Sequence, residues 1–295
     1  MSKSFFSLGL MSGTSGDGVD ASIIQSDGDN KYKVILDKYF KYNQNIYNNI
    51  HALKDEINDS RDLLNLSKKI QLLEKEITLF HADAVNEIFK ESKLNIDFIG
   101  FHGQTIFHNA KEKISKQLGD GKLLATLTKK TVIYDFRQND LKNGGHGAPL
   151  TPIFHKILKK NFKIKDVTFV NIGGIVNITI FLNNSMSGTD IGPGMCLIDR
   201  WVRQKTKKNY DKDGLLAKTG NVNKKSLELP LKNFYKKEKI LNKTPIQSFD
   251  TKYFDFSFVK DLSLEDGAAT LTEFTSQIII SAIKKKNLVK KEINI

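Results

Sequence analysis

Apolar residues near the N-terminus come in short runs separated by small polar residues, a strand pattern rather than a helix pattern. The runs "FFSLGLM", "VDASIIQS" and "YKVILDKYFKY" are joined by short Gly/Asp/Asn segments, which predicts an antiparallel meander. From Leu63 the period changes. Leu63, Leu66, Ile70, Leu73, Ile77, Phe80, Ala84 and Ile88 recur at steps of three and four, predicting one long helix whose apolar stripe packs on the core. Asp59 and Asp62 suit the positive end of that helix. "IDFIGFHG" then predicts a strand, "LLATLTKK" a short helix and "TVIYDF" a further strand.

The second half opens in the same way. "VTFVNIGGIVNITIFL" predicts two buried strands turning at Gly173 and Gly174. Helical patterns follow from Gly194 to about Lys207, around residues 222–260, and in "SLEDGAATLTEFTSQIIISAIKKK", where Ser263 and Asp266 form a start resembling a capping box. The tail "NLVKKEINI" begins what reads as one more strand. Two strand hairpins, each with a glycine-rich bend and each opening one half, suggest a weak internal duplication. They predict an α/β chain of two lobes, 1–130 and 131–295, with a ligand cleft between them.

Composition narrows the picture. The longest apolar run, Ile278 to Ile283 with Ser281 inside it, is far too short to span a bilayer, so no membrane partner is expected. Cys196 is the single cysteine, which excludes an internal disulfide and suits a reducing cytoplasm. It reads as a small core residue on a helix. The formal net charge of +13 raises nucleic acid as a partner. Only Arg61, Arg137, Arg200 and Arg203 among the 46 basic residues are arginine, however, and the lysines are scattered. That is a solvated surface, and no nucleic-acid partner is expected.

The segment "GLMSGTSGDGVDASII" carries more small and polar residues than a turn needs. It is neither a Walker A loop nor a GxGxxG segment opening a helix, because strand alternation follows it. Glycines that let an anion approach backbone N–H groups would make Gly13, Thr14, Ser15, Gly16, Asp17, Gly18, Val19 and Asp20 a phosphate cradle, with Ser12, Thr14 and Ser15 as hydroxyl donors. Asp17 and Asp20 would repel a phosphate unless a hydrated Mg²⁺ lay between them. The competing reading is a hairpin turn with Asx-type bonds.

A second glycine-rich stretch, "SGTDIGPGMCLIDRW", places Asp190 between a strand and a helix, with Pro193 in the first helical turn. The plain reading is an N-cap aspartate. Three flanking glycines exceed what a cap requires and point to a general base. His102 and Gln104 in "GFHGQT" sit at a strand end, where polar groups often meet ligands. Arg137 in "DFRQND" either pairs with Asp135 or Asp140 or clamps an acidic substrate, and His146 in "GGHGAP" reads as structural.

Taken in order, "GLMSGTSGDGVD", "GFHGQT", "DFR", "GGHGAPL", "NIGGIVNIT" and "GTDIGPGMCLIDRW" resemble the anhydro-N-acetylmuramic acid kinases of bacteria along essentially the whole chain. The resemblance implies the two-lobed actin-like ATPase (ribonuclease-H-like) fold, with ATP and Mg²⁺ as cofactors and a homodimer as the assembly. The implied substrate is 1,6-anhydro-N-acetylmuramic acid, whose anhydro bond is opened by water while O6 takes the γ-phosphate. Asp190 would then be the catalytic base and Gly13 to Asp20 the ATP-binding segment, with Asp17 and Asp20 holding the metal through water. His102, Gln104, Arg137, Asn171, Gly173 and Gly174 are the candidate substrate contacts. Members of that family continue past the "ATLTEFT" helix with a strand, a GGG segment and an acidic helix, whereas this chain stops at Ile295. The expectation is therefore an incomplete second lobe, and the alternative function is a non-catalytic member that binds nucleotide, sugar or a partner.

Overall fold

The computed structural model describes residues 3–241 and 249–285. The chain divides into two compact units, 1–164 and 165–295.

In the first unit, strands β1 (Phe5–Ser12), β2 (Gly18–Ser26) and β3 (Tyr32–Lys41) form the expected antiparallel meander. A helix that the sequence reading did not assign follows, α1 (Gln44–Glu56), capped by the Asn43 side chain on the Ile46 N–H. Its buried Ile46, Tyr47, Ile50 and Leu53 have helical spacing. The expected long helix is broken at Leu66 into α2 (Asp62–Asn65) and α3 (Ser67–Ser92). Asp62 is spent on the turn before it, accepting the Asn58 and Asp59 N–H groups. The stripe is core as expected, with Ile70, Leu73, Ile77, Ala84 and Ile88 all buried.

The rest of the unit comprises β4 (Phe98–Asn109), β5 (Ile114–Leu118), α4 (Gly121–Thr128), β6 (Thr131–Tyr134), α5 (Gln138–Lys142) and α6 (Pro152–Asn161). The six-stranded sheet runs β3-β2-β1-β4-β5, with β6 also paired to β4. Strand β1 lies between antiparallel β2 and parallel β4, which explains its apolar inner face of Leu8 and Leu10. Because β6 joins β4 in parallel register, from Phe98 opposite Thr131 onward, residues just past 130 belong to the first sheet. The division therefore falls between Ile164 and Lys165 rather than near residue 130.

The second unit opens with the predicted hairpin, β7 (Val167–Ile172) and β8 (Ile175–Leu182), extended by β9 (Ser185–Pro193) into a three-stranded antiparallel sheet. Helices α7 (Cys196–Lys205), α8 (Leu215–Thr219), α9 (Lys224–Leu241) and α10 (Leu264–Lys285) follow. Ser263 Oγ accepts the Asp266 N–H at the start of α10, as its sequence anticipates. Buried Cys196 opens α7. The predicted strand in "NLVKKEINI" lies outside the described residues.

The core of this unit gathers Leu197, Trp201, Val202, Val259, Ala268, Leu271, Phe274 and Ile278. Trp201 is its largest member, almost wholly buried, and its Nε1–H donates to the Leu264 carbonyl at 2.9 Å. The indole lies directly on Gly267 of α10, where a Cβ would come within 2.4 Å of the ring. Gly267→Ala is therefore expected to cost about 1–3 kcal/mol by overpacking, seen as a lower urea midpoint. Gly214→Ala, where added bulk meets nothing within 4 Å but the backbone φ is +65°, separates strain from packing.

Candidate functional site

The bend between β1 and β2 is held from beneath. Three successive carbonyls, of Gly13, Thr14 and Ser15, each accept a hydrogen bond from a different side chain. Gln104 Nε2 on β4 reaches Gly13 O at 2.9 Å, Lys54 Nζ on α1 reaches Thr14 O at 3.1 Å, and His51 Nε2 on α1 lies 3.0 Å from Ser15 O. In a planar trans peptide the N–H of residue i+1 points opposite the C=O of residue i. The Thr14 N–H is thus directed away from Gln104, and the Ser15 N–H away from Lys54. The Gly16 N–H instead closes the turn on Gly13 O at 3.1 Å.

Gly16 has φ +62°, and a Cβ there would lie 3.0 Å from Ile50 Cγ2. The positive φ favours glycine, and the Ile50 methyl leaves little room for a Cβ. Gly18 answers a different need: a Cβ would meet Phe40 O at 2.5 Å on the neighbouring strand.

The hydroxyls divide differently from the sequence expectation. Ser12 is not available to an anion, because it completes the inward face of β1 after Leu8 and Leu10. It is 2% exposed and bonds to Tyr42 and His81. Ser15 Oγ donates to Asp17 Oδ1. The Asp17 carbonyl in turn accepts the Tyr42 N–H at 2.9 Å. Asp20 lies on the exposed face of β2, opposite Met11 and Tyr39. Partial desolvation, then the neighbouring Asp17 and Asp37 charges, raises its carboxyl above the ordinary carboxylate range. Such crowding of negative charge suits a cation between Asp17 and Asp20. Among the described residues no group of three or more His, Cys, Asp or Glu could hold a metal. Any ion here would draw its other ligands from phosphate and water, as Mg²⁺ commonly does.

The "GFHGQT" and "DFR" motifs come together in the same unit. Arg137 Nε donates to His102 Nε2 at 3.0 Å, so Nε2 carries the lone pair and Nδ1 carries the hydrogen given to Gly103 O at 2.7 Å. Burial, then the adjacent guanidinium, pushes His102 down to about 4. Arg137 Nη1 also holds Gly147 O at 2.6 Å, while Asp140 Oδ2 accepts the Gly147 N–H at 2.7 Å. Arg137 and Asp140 are thus bracketed on one loop residue of "GGHGAP". His146 is half-buried in that loop. Gln104 is fully buried, and its Oε1 meets no donor among the described residues.

In the second unit Asp190 is not at the mouth of a helix. It lies within β9, and α7 starts only at Cys196, with Pro193 ending the strand rather than opening the helix. The glycines it was grouped with serve the backbone. The Gly174 carbonyl accepts the Gly194 and Cys196 N–H groups at 3.0 and 3.2 Å, and the Gly173 carbonyl accepts that of Met195 at 2.9 Å. The β7–β8 turn therefore caps α7, and a Cβ on Gly194 would sit 2.1 Å from Gly173 O.

Asp190 stands out for another reason. The β8–β9 register slips between Val176 and Asn177, so Ile191 is an extra residue next to Asp190. Such bulges re-aim side chains. The carboxylate is 8% exposed, and its Oδ2 accepts the Phe249 N–H at 2.9 Å. Asn171, Asn177 and Asp190 lie directly opposite one another on β7, β8 and β9, which sets them in one row on one face. Asn177 Oδ1 is buried and meets no donor among the described residues.

The sequence reading missed Asn177, Lys54 and His51. The repeated Asn spacing in "NIGGIVNIT" held the signal for Asn177, and the apolar spacing of α1 held it for the other two.

A family model described as anhydro-N-acetylmuramic acid kinase matches residues 5–295. A protein of Pelagibacter ubique (strain HTCC1062) with that name is 52% identical over 289 residues, covering 97% of this chain and 76% of its relative. Similar proteins of that name occur in Zymomonas mobilis (35% identical, 94% of this chain, 76% of the relative) and Gluconobacter oxydans (36%, 93% and 76%). The chain spans about three quarters of the length of these relatives.

Two buried imidazoles give this chain a pH signature. His81 and His102 are both held down to about 4 from an ordinary 6.5. Between those values the unfolded chain binds protons that the folded chain refuses. Their contribution is therefore complete above pH 6.5 and is lost as pH falls toward 4. Urea unfolding is expected to show stability dropping from pH 7 to pH 5, approaching about 1.4 kcal/mol per pH unit for each histidine. His102→Gln should shallow that slope, and an unchanged slope in the variant would contradict the assignment.

Proposed function

The chain belongs to the anhydro-N-acetylmuramic acid kinase family, and on that premise we propose how its residues open and phosphorylate the anhydro sugar. The enzyme is a phosphotransferase acting on an alcohol group of a sugar, with ATP as co-substrate. Water adds to C1 of 1,6-anhydro-N-acetylmuramic acid, the C1–O6 bond breaks, and O6 attacks the γ-phosphorus. The products are N-acetylmuramic acid 6-phosphate and ADP. This chemistry belongs to the recycling of cell-wall amino sugars.

The observation that carries the reading is the Gly13–Asp17 bend. With the three carbonyls tied to side chains, the Thr14 and Ser15 N–H groups offer fixed positive dipoles to phosphate oxygens, and no Cβ at Gly13 or Gly16 obstructs them. Asp17 and Asp20 would hold a hydrated Mg²⁺, which supplies charge neutralisation on the phosphates when bound. Asp190 takes the proton of the attacking water. The Phe249 N–H on Oδ2 orients its carboxylate for that step. Asn171 and Asn177 supply amide groups beside it for sugar hydroxyls, with Gly173 and Gly174 forming the turn that joins β7 to β8 next to that row. In the first unit Arg137, with His102 bonded to its guanidinium, is the group offered to the sugar, while fully buried Gln104 acts by bracing the bend at Gly13 O. The proposal extends to a homodimer and to a reducing cytoplasmic setting, the latter resting on single, buried Cys196. Among the described residues no helix is long and apolar enough to cross a membrane.

Asp190→Asn keeps an acceptor for the Phe249 N–H and removes the base. It is expected to lower kcat by about 10²–10⁴-fold while the thermal midpoint moves little, measured by 6-phosphate formation from ATP, Mg²⁺ and the anhydro sugar. Near-normal turnover in a folded variant would refute the role. Asp17→Asn should raise the Mg²⁺ concentration for half-maximal rate about 10-fold, and an unaltered Mg²⁺ profile would remove this residue from the metal.

A further inference from the structure

Beneath the phosphate bend lies a polar chain that the reaction itself does not use. Tyr42, Ser12 and His81 are 3%, 2% and 0% exposed, deep among apolar neighbours. The Ser12 hydroxyl lies 2.9 Å from Tyr42 OH and 3.2 Å from His81 Nε2, and His81 Nδ1 lies 2.8 Å from the Ile77 carbonyl on the preceding turn of α3.

A carbonyl only accepts, so His81 Nδ1 must carry the hydrogen. Burial pushes the imidazole down to about 4, so it is neutral and Nε2 is an acceptor. Ser12 must then donate to His81, which leaves its oxygen to accept from Tyr42. The direction of every proton is fixed: Tyr42 O–H to Ser12, Ser12 O–H to His81, His81 N–H to Ile77. Each donor of the chain is used, which makes such a buried network rigid.

The chain touches both ends of the bend. Ser12 directly precedes Gly13, and the Tyr42 backbone N–H holds the Asp17 carbonyl at 2.9 Å. The ring of Tyr42 is fixed edge-on against Phe80 at 4.9 Å, and that of His81 against Phe101 at 4.9 Å. Packing alone would be served as well by apolar side chains at these three positions. What the hydroxyls and the imidazole add is a set distance between residue 12, residue 42 and α3.

We propose that Tyr42, Ser12 and His81 are positioning residues that set the geometry of the Gly13–Asp17 bend for nucleotide. The proposal rests on the reading of that bend as the ATP site. It separates three kinds of substitution. Tyr42→Phe removes the first donor, and His81→Leu removes the acceptor while keeping an apolar filling. His81→Gln places an amide oxygen where Nε2 stood, able to accept from Ser12, and is the conservative rescue.

The test compares these variants with the wild-type chain for KM of ATP, KM of the anhydro sugar, and amide hydrogen exchange in residues 13–17 without ligand. The expected result for Tyr42→Phe and His81→Leu is a KM for ATP raised about 10-fold, a KM for sugar within about two-fold, and faster exchange confined to the bend. His81→Gln should return most of the ATP affinity. The proposal is overturned if both KM values rise together, if neither moves while the melting temperature falls, or if His81→Gln behaves as His81→Leu. Should the wild-type chain transfer no phosphate at all, the kinase reading fails on its own. The exchange arm then decides the positioning role, with faster exchange at 13–17 supporting it and unchanged exchange rejecting it.

Discussion

The orientation of three peptide planes governs the first unit. Gln104 comes from a strand and Lys54 and His51 from a helix, and each takes the carbonyl oxygen of one of three consecutive residues. A free glycine-rich loop samples many peptide orientations and presents anions with carbonyl oxygens as readily as with N–H groups. Tying the carbonyls removes that ambiguity before any ligand arrives, which lowers the ordering cost at binding. The sheet order follows from the same need. With β1 central, its C-terminal end is fixed on both sides, by β2 through the meander and by β4, which brings Gln104 opposite Ser12.

The second unit solves a comparable problem with different parts. Here the glycines at 173, 174 and 194 let a turn press its carbonyls against the first N–H groups of α7. The helix is thereby anchored to the β7–β8 turn. Trp201, in the second turn of α7, locks that helix to α10 across Gly267. The bulge at Ile191 is what sets Asp190 apart from an ordinary strand residue, since an unbroken ladder would bring residue 191 rather than 190 opposite Asn177. A carboxylate that accepts a backbone N–H on a braced strand is a pre-organised group.

Much of this was legible in the chain, and the rest was hidden for identifiable reasons. The first meander, the β7–β8 hairpin, the apolar stripe from Ile70 to Ile88 and the start of α10 at Ser263 follow from period and capping, which are local properties. Helix α1 was obscured by its polar content, with "QNIYNNIHALKDE" carrying asparagines that read as loop. Strand β9 was obscured by Gly188, Gly192 and Pro193, residues that normally end strands and here border a bulge. The composition of the phosphate bend was visible, but not what braces it. His51, Lys54 and Gln104 lie 36, 40 and 91 residues from their carbonyl partners. No local pattern carries contacts of that range, and Ser12 looked like a loop hydroxyl because strand alternation was not followed to its last residue.

The central claim is that the Thr14 and Ser15 N–H groups are the ones presented to phosphate. Backbone amide resonances of ¹⁵N-labelled protein, followed while Mg²⁺ and a non-hydrolysable ATP analogue are added, test it directly. The account predicts the largest shifts at Thr14 and Ser15, with Gly16 moving less because its N–H is already engaged by Gly13 O. Saturable binding that leaves the amides of residues 13–17 unmoved would contradict it.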